Sequence, residues 1–276
     1  MKHPLLLACL CLAMASCDNS EKAAAGRLID TASRQALAGD YNGAKATLDS
    51  VKLVAPKAYD LRHKALALKR EYTLLELQRD QAYTDSVLRV SLARLDSLRP
   101  GFAYEKDTAY QRTGRYLYPT QTVERNLGRA FLRFQTDEEG RMSLTSIYCG
   151  ARHVHHAAVR VIAPDGTYAQ TPPSPDSYET SVQGTMIEQA DYRLGEDGNV
   201  ADFVRQNHDK DLKLQFLGDQ NFTTRLSPDD RKAAVEVYRL SRLLTLIADT
   251  RRQQEELQTK RKFIEEADRR QTGEKP

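Results

Sequence analysis

The sequence contains no tryptophan, only four cysteines and almost no net charge. Without tryptophan it lacks the aromatic side chain that stacks best on cations. Its 41 basic and 38 acidic residues give a net charge of +3, which is not the concentrated basic excess that nucleic-acid binding usually needs. The only apolar run, at 5–14, is half as long as the ~20 residues of a membrane-spanning helix. A polytopic membrane protein is therefore excluded.

The first 17 residues have the pattern of a secretory signal. Lys2 supplies the positive start, the apolar run follows, and two small residues precede Cys17. The segment MASC at 14–17 resembles the lipobox of bacterial lipoproteins, in which the cysteine is lipidated and becomes the new N-terminus. We expect a signal peptide over 1–16 and a lipid anchor on Cys17, where several acyl chains make anchoring stable. The alternative is an ordinary cleaved signal with an incidental cysteine.

The other cysteines agree with this interpretation. Cys9 and Cys11 leave with the signal, so Cys149 is the one other thiol of the mature chain. No intrachain disulfide is then expected, although an exported compartment would permit one. We expect Cys149 to act as a small buried hydrophobic residue.

Helical patterns fill 23–100, after a short polar tether at 17–22. The segment GDYNGAKATLDSVKLVAP at 39–56 resembles the second half of a tetratricopeptide repeat, with Ala44 at the small contact position and Pro56 closing the helix. One such hairpin cannot bury its own apolar face, so it must pack on another element. Neither glycine nor proline interrupts 57–98, which predicts one helix of about 60 Å.

A second long helix is predicted over 227–271, before a disordered tail at 272–276. Ser227 is a hydroxyl N-cap, Pro228 occupies the first turn, and two acids follow at the positive end of the helix dipole. The two long helices carry apolar stripes of similar length and bracket the rest of the chain. We expect them to pair as an antiparallel coiled-coil stalk; the alternative is that each packs separately on the central domain.

The central segment, 101–226, has the period-two alternation of β-strands. Strands are predicted near 130–135, 142–148, 157–163, 185–192 and 212–217, and a short helix near 200–207. Because no long helix intervenes, we expect an antiparallel β-sandwich or a small barrel inserted between the long helices. The fold class is therefore α+β.

This order of elements resembles a group of Gram-negative outer-membrane lipoproteins of unknown function. The likeness rests on the lipobox, the tetratricopeptide-like segment, and the stretches RNLGRAFLRF (125–134) and MSLTSIYCG (142–150). It implies an outer-membrane lipoprotein that faces the periplasm or the cell surface, and it implies no activity.

The run RHVHH at 152–156 is the sharpest candidate for chemistry. If the following strand begins this early, His153 and His155 share one face, and Cys149 is near enough to complete a zinc site. The two histidines also fall in the same alternating positions as the apolar strand residues that follow. The alternative is therefore that they simply lie where the strand enters the core. No HExxH helix and no paired cysteines are present. We therefore expect no metal and no cofactor, and keep these three residues as candidates.

A group of aromatic and basic residues is a candidate binding surface, because tyrosine combines stacking area with a polar hydroxyl. Its members are Tyr104, Tyr110, Arg112, Tyr116 and Tyr118. Tyrosine is also common in strands and at domain junctions, which is the alternative interpretation.

The leading functional hypothesis is a non-enzymatic, lipid-anchored envelope protein that presents a β domain to a protein or glycan partner. None of the motifs GxSxG, GxGxxG, CxxC or a phosphate-binding loop is present, which argues against an enzyme. One alternative is a zinc enzyme centred on His153, His155 and Cys149. The other is an envelope assembly factor or chaperone that docks through the N-terminal helical hairpin.

Overall fold

The structure, a computed structural model, describes residues 4–106, 113–182 and 184–272, with side chains over 19–270 of these ranges. The described chain is a mixture of helix and antiparallel sheet. It divides into two compact units, of which the first comprises the residues up to Ser86 and those from Gln253 onward, and the second is Val87–Arg252. The predicted α+β class is confirmed at this level.

Five helices are present in the described part of the chain. They are Pro4–Leu37 (α1), Tyr41–Val54 (α2), Tyr59–Leu98 (α3), Val200–Gln206 (α4) and Pro228–Thr272 (α5). The two long helices, α3 and α5, begin and end within two residues of their predicted bounds. The segment 17–22, expected to be a tether, is helical as part of α1, and the predicted tail lies outside the described residues apart from Thr272. Among the described residues, no helix combines the length and the apolar character that crossing a bilayer requires.

In the first unit, α1, α2 and the first half of α3 share a core rich in small side chains. Its buried members are Ala25, Ile29, Ala32, Ala44, Leu48, Val51, Ala55, Ala58, Ala65 and Tyr72. Asp40 caps α2 by accepting a hydrogen bond from the Gly43 backbone N–H at 2.9 Å. Lys45 of α2 and Glu76 of α3 form an ion pair at 2.5 Å. Small contact residues and cross-helix polar pairs thus hold this unit together.

The second unit contains two antiparallel sheets. The strands are Ala103–Glu105 (β1), Arg115–Leu117 (β2), Phe131–Asp137 (β3), Met142–Gly150 (β4), Ala158–Ile162 (β5), Tyr168–Gln170 (β6), Ser177–Val182 (β7), Thr185–Arg193 (β8), Lys213–Leu217 (β9) and Phe222–Arg225 (β10). The strand orders are β1-β2-β3-β4-β8-β7 and β10-β9-β5-β6. Neither sheet closes over the described residues, so the barrel alternative is wrong.

Both sheets contribute to one hydrophobic core. Phe134 and Leu144 from the six-stranded sheet and Val161 and Phe216 from the four-stranded sheet are buried in it, together with Val237 of α5. The alternation of apolar and polar residues along each strand supplies this face. Tyr148 of β4, Ala190 of β8 and Val154, which lies within the histidine run, also belong to this core.

Candidate functional site

The histidine run lies in an irregular segment between β4 and β5. β5 begins at Ala158, close to the predicted 157, so the strand does not reach back to His153 and His155 and does not place them on one strand face. His155 has a φ of +51°, a left-handed conformation that is uncommon for residues other than glycine. The backbone turns here because consecutive amides of this segment point at one buried carboxylate.

That carboxylate belongs to Glu188 on β8, which is only 1% exposed. Its Oε1 accepts hydrogen bonds from the backbone N–H groups of Val154 and His155 at 2.8 and 3.0 Å. Its Oε2 accepts from the backbone N–H of His156 at 2.9 Å and pairs with His156 Nδ1 at 3.0 Å. Burial alone would raise the pKa of Glu188, but these hydrogen bonds outweigh it and lower the pKa to about 2. The segment is therefore organised around a buried negative charge.

His156 connects this carboxylate to a hydroxyl. An ionised carboxylate can only accept, so His156 Nδ1 carries the proton that Glu188 receives. Burial lowers the pKa of His156 despite the nearby carboxylate, so Nε2 is free to accept from Ser146 Oγ at 2.9 Å. The order of hydroxyl, imidazole and carboxylate matches that of a nucleophilic triad. All three side chains are buried and Ser146 Oγ also approaches the Ala190 carbonyl, which leaves the hydroxyl closed to a substrate.

The exposed half of the site is formed by His153, His155 and Glu179 of β7. The two imidazole rings stack with centroids 4.9 Å apart and an interplanar angle of 3°. Both Nδ1 atoms face Glu179, at 3.4 Å for His153 and 3.0 Å for His155. The hydrogen bond that His155 donates to Glu179 raises the pKa of His155. Exposed imidazoles and a carboxylate thus converge directly above the buried charge of Glu188.

These four side chains form a compact set of possible metal ligands. One nitrogen or oxygen from each of His153, His155, Glu179 and Glu188 lies within 4.8 Å of the others. Cys149, the third residue of the predicted zinc site, is not a member of this set. It is half-buried on β4, opposite Ile187 of β8, with a free thiol. The structure therefore brings two of the three predicted candidates together and replaces the thiol with two carboxylates.

A glycine makes room for this segment. A Cβ added to Gly218, which follows β9, would lie 2.1 Å from the Val154 carbonyl oxygen and 2.5 Å from that of His155. Only a residue without a side chain allows the two backbones to approach so closely. The position of the histidines thus depends on a residue more than 60 positions away in sequence.

The two glutamates were missed by the sequence analysis. Glu188 alternates along β8 with the buried residues Ala190 and Tyr192, so it lies on the same face of the strand. A charged residue on the core-facing side of a predicted strand is a signal that could have identified it. Glu179 gave no comparable signal, because β7 has mixed polar residues and its pairing with β8 is not evident from composition.

The predicted tyrosine surface is only partly exposed. Tyr104 of β1 is 47% exposed, and its ring lies 5.1 Å from that of Tyr116, which is buried. Tyr118 is half-buried beside the main core. Tyr110 and Arg112 lie outside the described residues. Part of the predicted surface therefore serves packing, and Tyr104 is the most exposed of its three described tyrosines.

Cys17, the predicted lipidation site, is at a helical position of α1, and its side chain lies outside the described part of the chain. Comparison with known proteins assigns no role to it or to the histidine cluster. No known protein family, no curated protein and no solved structure matches this chain.

Proposed function

We propose that the protein is a non-enzymatic, lipid-anchored cell-envelope protein whose β domain is carried on a helical stalk and binds a protein or glycan partner. The observation that carries this proposal is the segment MASC at 14–17, placed after a positive residue and an apolar run and ending in the thiol that lipidation requires. The resemblance to Gram-negative outer-membrane lipoproteins supports the outer membrane as the location.

Contacts between the two long helices support the stalk. Asp85 of α3 accepts a hydrogen bond from Gln254 of α5 at 2.6 Å, and Arg70 pairs with Asp268 at 2.5 Å. The step from 85 back to 70 covers 15 residues and the step from 254 forward to 268 covers 14, which is the register of antiparallel helices. At 1.5 Å per residue, α3 and α5 are about 60 and 70 Å long. These pairs favour the paired stalk over independent packing of each helix.

The burial of the hydroxyl–imidazole–carboxylate series supports a non-enzymatic role. Ser146 has no exposed surface, and His156 Nε2 is occupied by its hydroxyl. A nucleophile must be reached by its substrate, and this one is enclosed between two sheets. The polar series instead satisfies groups that burial would leave unpaired.

The anchor is tested by mass spectrometry of the full-length protein expressed in a Gram-negative host and purified from membranes. We expect a chain that begins at Cys17 and carries diacylglycerol on the thiol and a fatty acid on the amine. Cys17→Ser should abolish both modifications, and Cys149→Ser, the matched control, should leave them unchanged. An unacylated Cys17, or an uncleaved leader in the cytosol, would contradict the proposal.

The stalk is tested by cross-linking in a Cys149→Ser background with a short bismaleimide. Cysteines placed at Asp85 and Gln254 should cross-link readily, because these side chains touch. Cysteines at Asp85 and Asp268 should not, because the register separates them by about four helical turns. Equal cross-linking of both pairs would reject the antiparallel register.

A further inference from the structure

We propose that His153, His155 and Glu179 bind a zinc ion at the surface of the β domain. This inference does not depend on the lipid anchor or on the stalk. It rests on the geometry of three exposed side chains that converge from two separate segments, and on the buried carboxylate beneath them.

The separations of the ligand atoms fit a tetrahedral ion. Zinc binds nitrogen and oxygen at about 2.0–2.1 Å, so two ligand atoms of a tetrahedral site lie about 3.3 Å apart. His155 Nδ1 lies 3.0 and 3.2 Å from the two oxygens of Glu179. His153 Nδ1 lies 3.4 Å from Glu179 Oε2 and 3.4 Å from Glu188 Oε1. The two edges that join Glu179 Oε2 to the nitrogens of His155 and His153 are therefore already close to the required length.

Glu188 acts beneath the site as an electrostatic and positioning partner. Its Oε1 already accepts two backbone N–H groups, and its Oε2 is engaged with His156. Its charge still lies 3.4 Å from a ligand nitrogen, so it favours a cation in the position above. Together with Glu179 it supplies two negative charges, which balance the charge of a divalent ion held by two neutral imidazoles.

The backbone holds His155 in place before any ion binds. Its φ of +51° is a conformation that costs free energy for a side-chain-bearing residue. The hydrogen bond from its N–H to Glu188 and the close approach of Gly218 keep it there. Such strain persists only where surrounding contacts impose it, and here those contacts direct an imidazole toward Glu179.

The chemistry of the ligands selects the class of ion. Imidazole nitrogens favour zinc and related transition metals, whereas calcium and magnesium prefer sites made of oxygen alone. Two histidines and one carboxylate are also a set found in zinc sites that keep a fourth position open to water. Cys149 is not a member of this set.

Isothermal titration of the full-length protein with zinc chloride, in detergent and after removal of bound metal, tests the site. We expect one zinc ion per chain. Glu179→Gln and His155→Asn should each weaken binding at least about tenfold, since each removes a ligand. Asparagine is chosen at 155 because it tolerates left-handed backbone. His208→Asn, an exposed histidine outside the cluster, and Cys149→Ser should bind zinc as tightly as the unaltered protein.

Thermal unfolding separates loss of a ligand from loss of the fold. Glu179 is exposed, so Glu179→Gln should melt at the temperature of the unaltered protein when metal is absent. Excess zinc should raise the melting temperature of the unaltered protein and of His208→Asn by clearly more than that of Glu179→Gln, because the variant binds zinc more weakly. No zinc binding by the unaltered protein, or equal binding by a folded Glu179→Gln variant, would overturn the proposal.

Discussion

Arg129 and Asp230, which are 101 residues apart in sequence, form a bidentate ion pair between the segment that precedes β3 and the first turn of α5. The guanidinium contacts the two carboxylate oxygens at 2.6 and 2.9 Å. Asp230 is 1% exposed and also accepts a hydrogen bond from the buried amide of Gln121 at 2.9 Å. The acid that sequence analysis placed at the helix dipole is thus also the link between helix and sheet.

Asp230→Asn should therefore destabilise the protein by about 3 kcal/mol, because it leaves a partly buried arginine without its counter-charge. Asp229→Asn is the matched control, since Asp229 occupies the same helical turn but is exposed. It should cost less than about 1 kcal/mol, the usual size of a dipole contribution. Urea unfolding monitored by circular dichroism measures both. Equal costs would show that the pair with Arg129 adds nothing beyond the dipole.

Glu188→Gln should be more damaging than its conservative chemistry suggests. An amide cannot accept at both ends, so its NH₂ group would face one of the donors that now point at Glu188. We expect a loss of about 3 kcal/mol, because a buried group is left unsatisfied and a charge is lost. The same substitution at exposed Glu179 should change metal-free stability by less than about 0.5 kcal/mol. Comparable losses at the two sites would contradict the buried-carboxylate role.

Much of the fold was predictable where local signals agree. The long helices follow from uninterrupted helical sequence and from the Ser227 cap, whose hydroxyl does accept from the Asp230 N–H at 3.1 Å. The central strands follow from alternation. The short strands β1, β2 and β6 were missed because three residues carry too little periodicity to read.

The site was less predictable because its parts are joined only by tertiary structure. The histidines form an obvious run in the sequence. Their conformation, however, depends on Glu188 of β8 and on Gly218, which follows β9. One carboxylate accepts hydrogen bonds from three backbone amides of this segment, and these bonds set its irregular conformation ahead of β5. A contact of this kind has no signature within a short window of sequence.

The buried hydroxyl of Tyr192 should make the protein less stable at alkaline pH. Burial raises the pKa of this phenol above its ordinary value of 10.0, and its hydroxyl donates to the Ala157 carbonyl at 3.0 Å. As the pH rises above 10, the unfolded chain releases this proton while the folded chain retains it, so stability present below pH 10 is lost. Tyr192→Phe should flatten this alkaline decline in the free energy of unfolding. Tyr178→Phe, at an exposed tyrosine, should leave the decline unchanged, and an equal effect of both would contradict the assignment.

Gly140 offers the sharpest test of how the β3–β4 turn meets α5. Its φ is +85°, and its carbonyl accepts from Ser241 Oγ at 2.7 Å. A Cβ at this position would lie 2.4 Å from the backbone nitrogen of Thr245. That nitrogen is part of the backbone of α5, so it cannot rotate away as a side chain could. Gly166 has the same φ of +85°, but a Cβ added there would meet nothing within 4 Å, so it isolates the cost of the conformation alone.

Gly166→Ala should therefore destabilise the protein by about 1 kcal/mol, the cost of left-handed backbone for alanine. Gly140→Ala carries the same cost and adds a backbone clash, so its total should exceed that of Gly166→Ala by about 1–3 kcal/mol, the size of other overpacking changes. Parallel urea titrations give the difference directly. Equal destabilisation by the two alanines would mean that the turn can move away from α5 freely, and that the hydrogen bond from Ser241 does not hold sheet and helix in register.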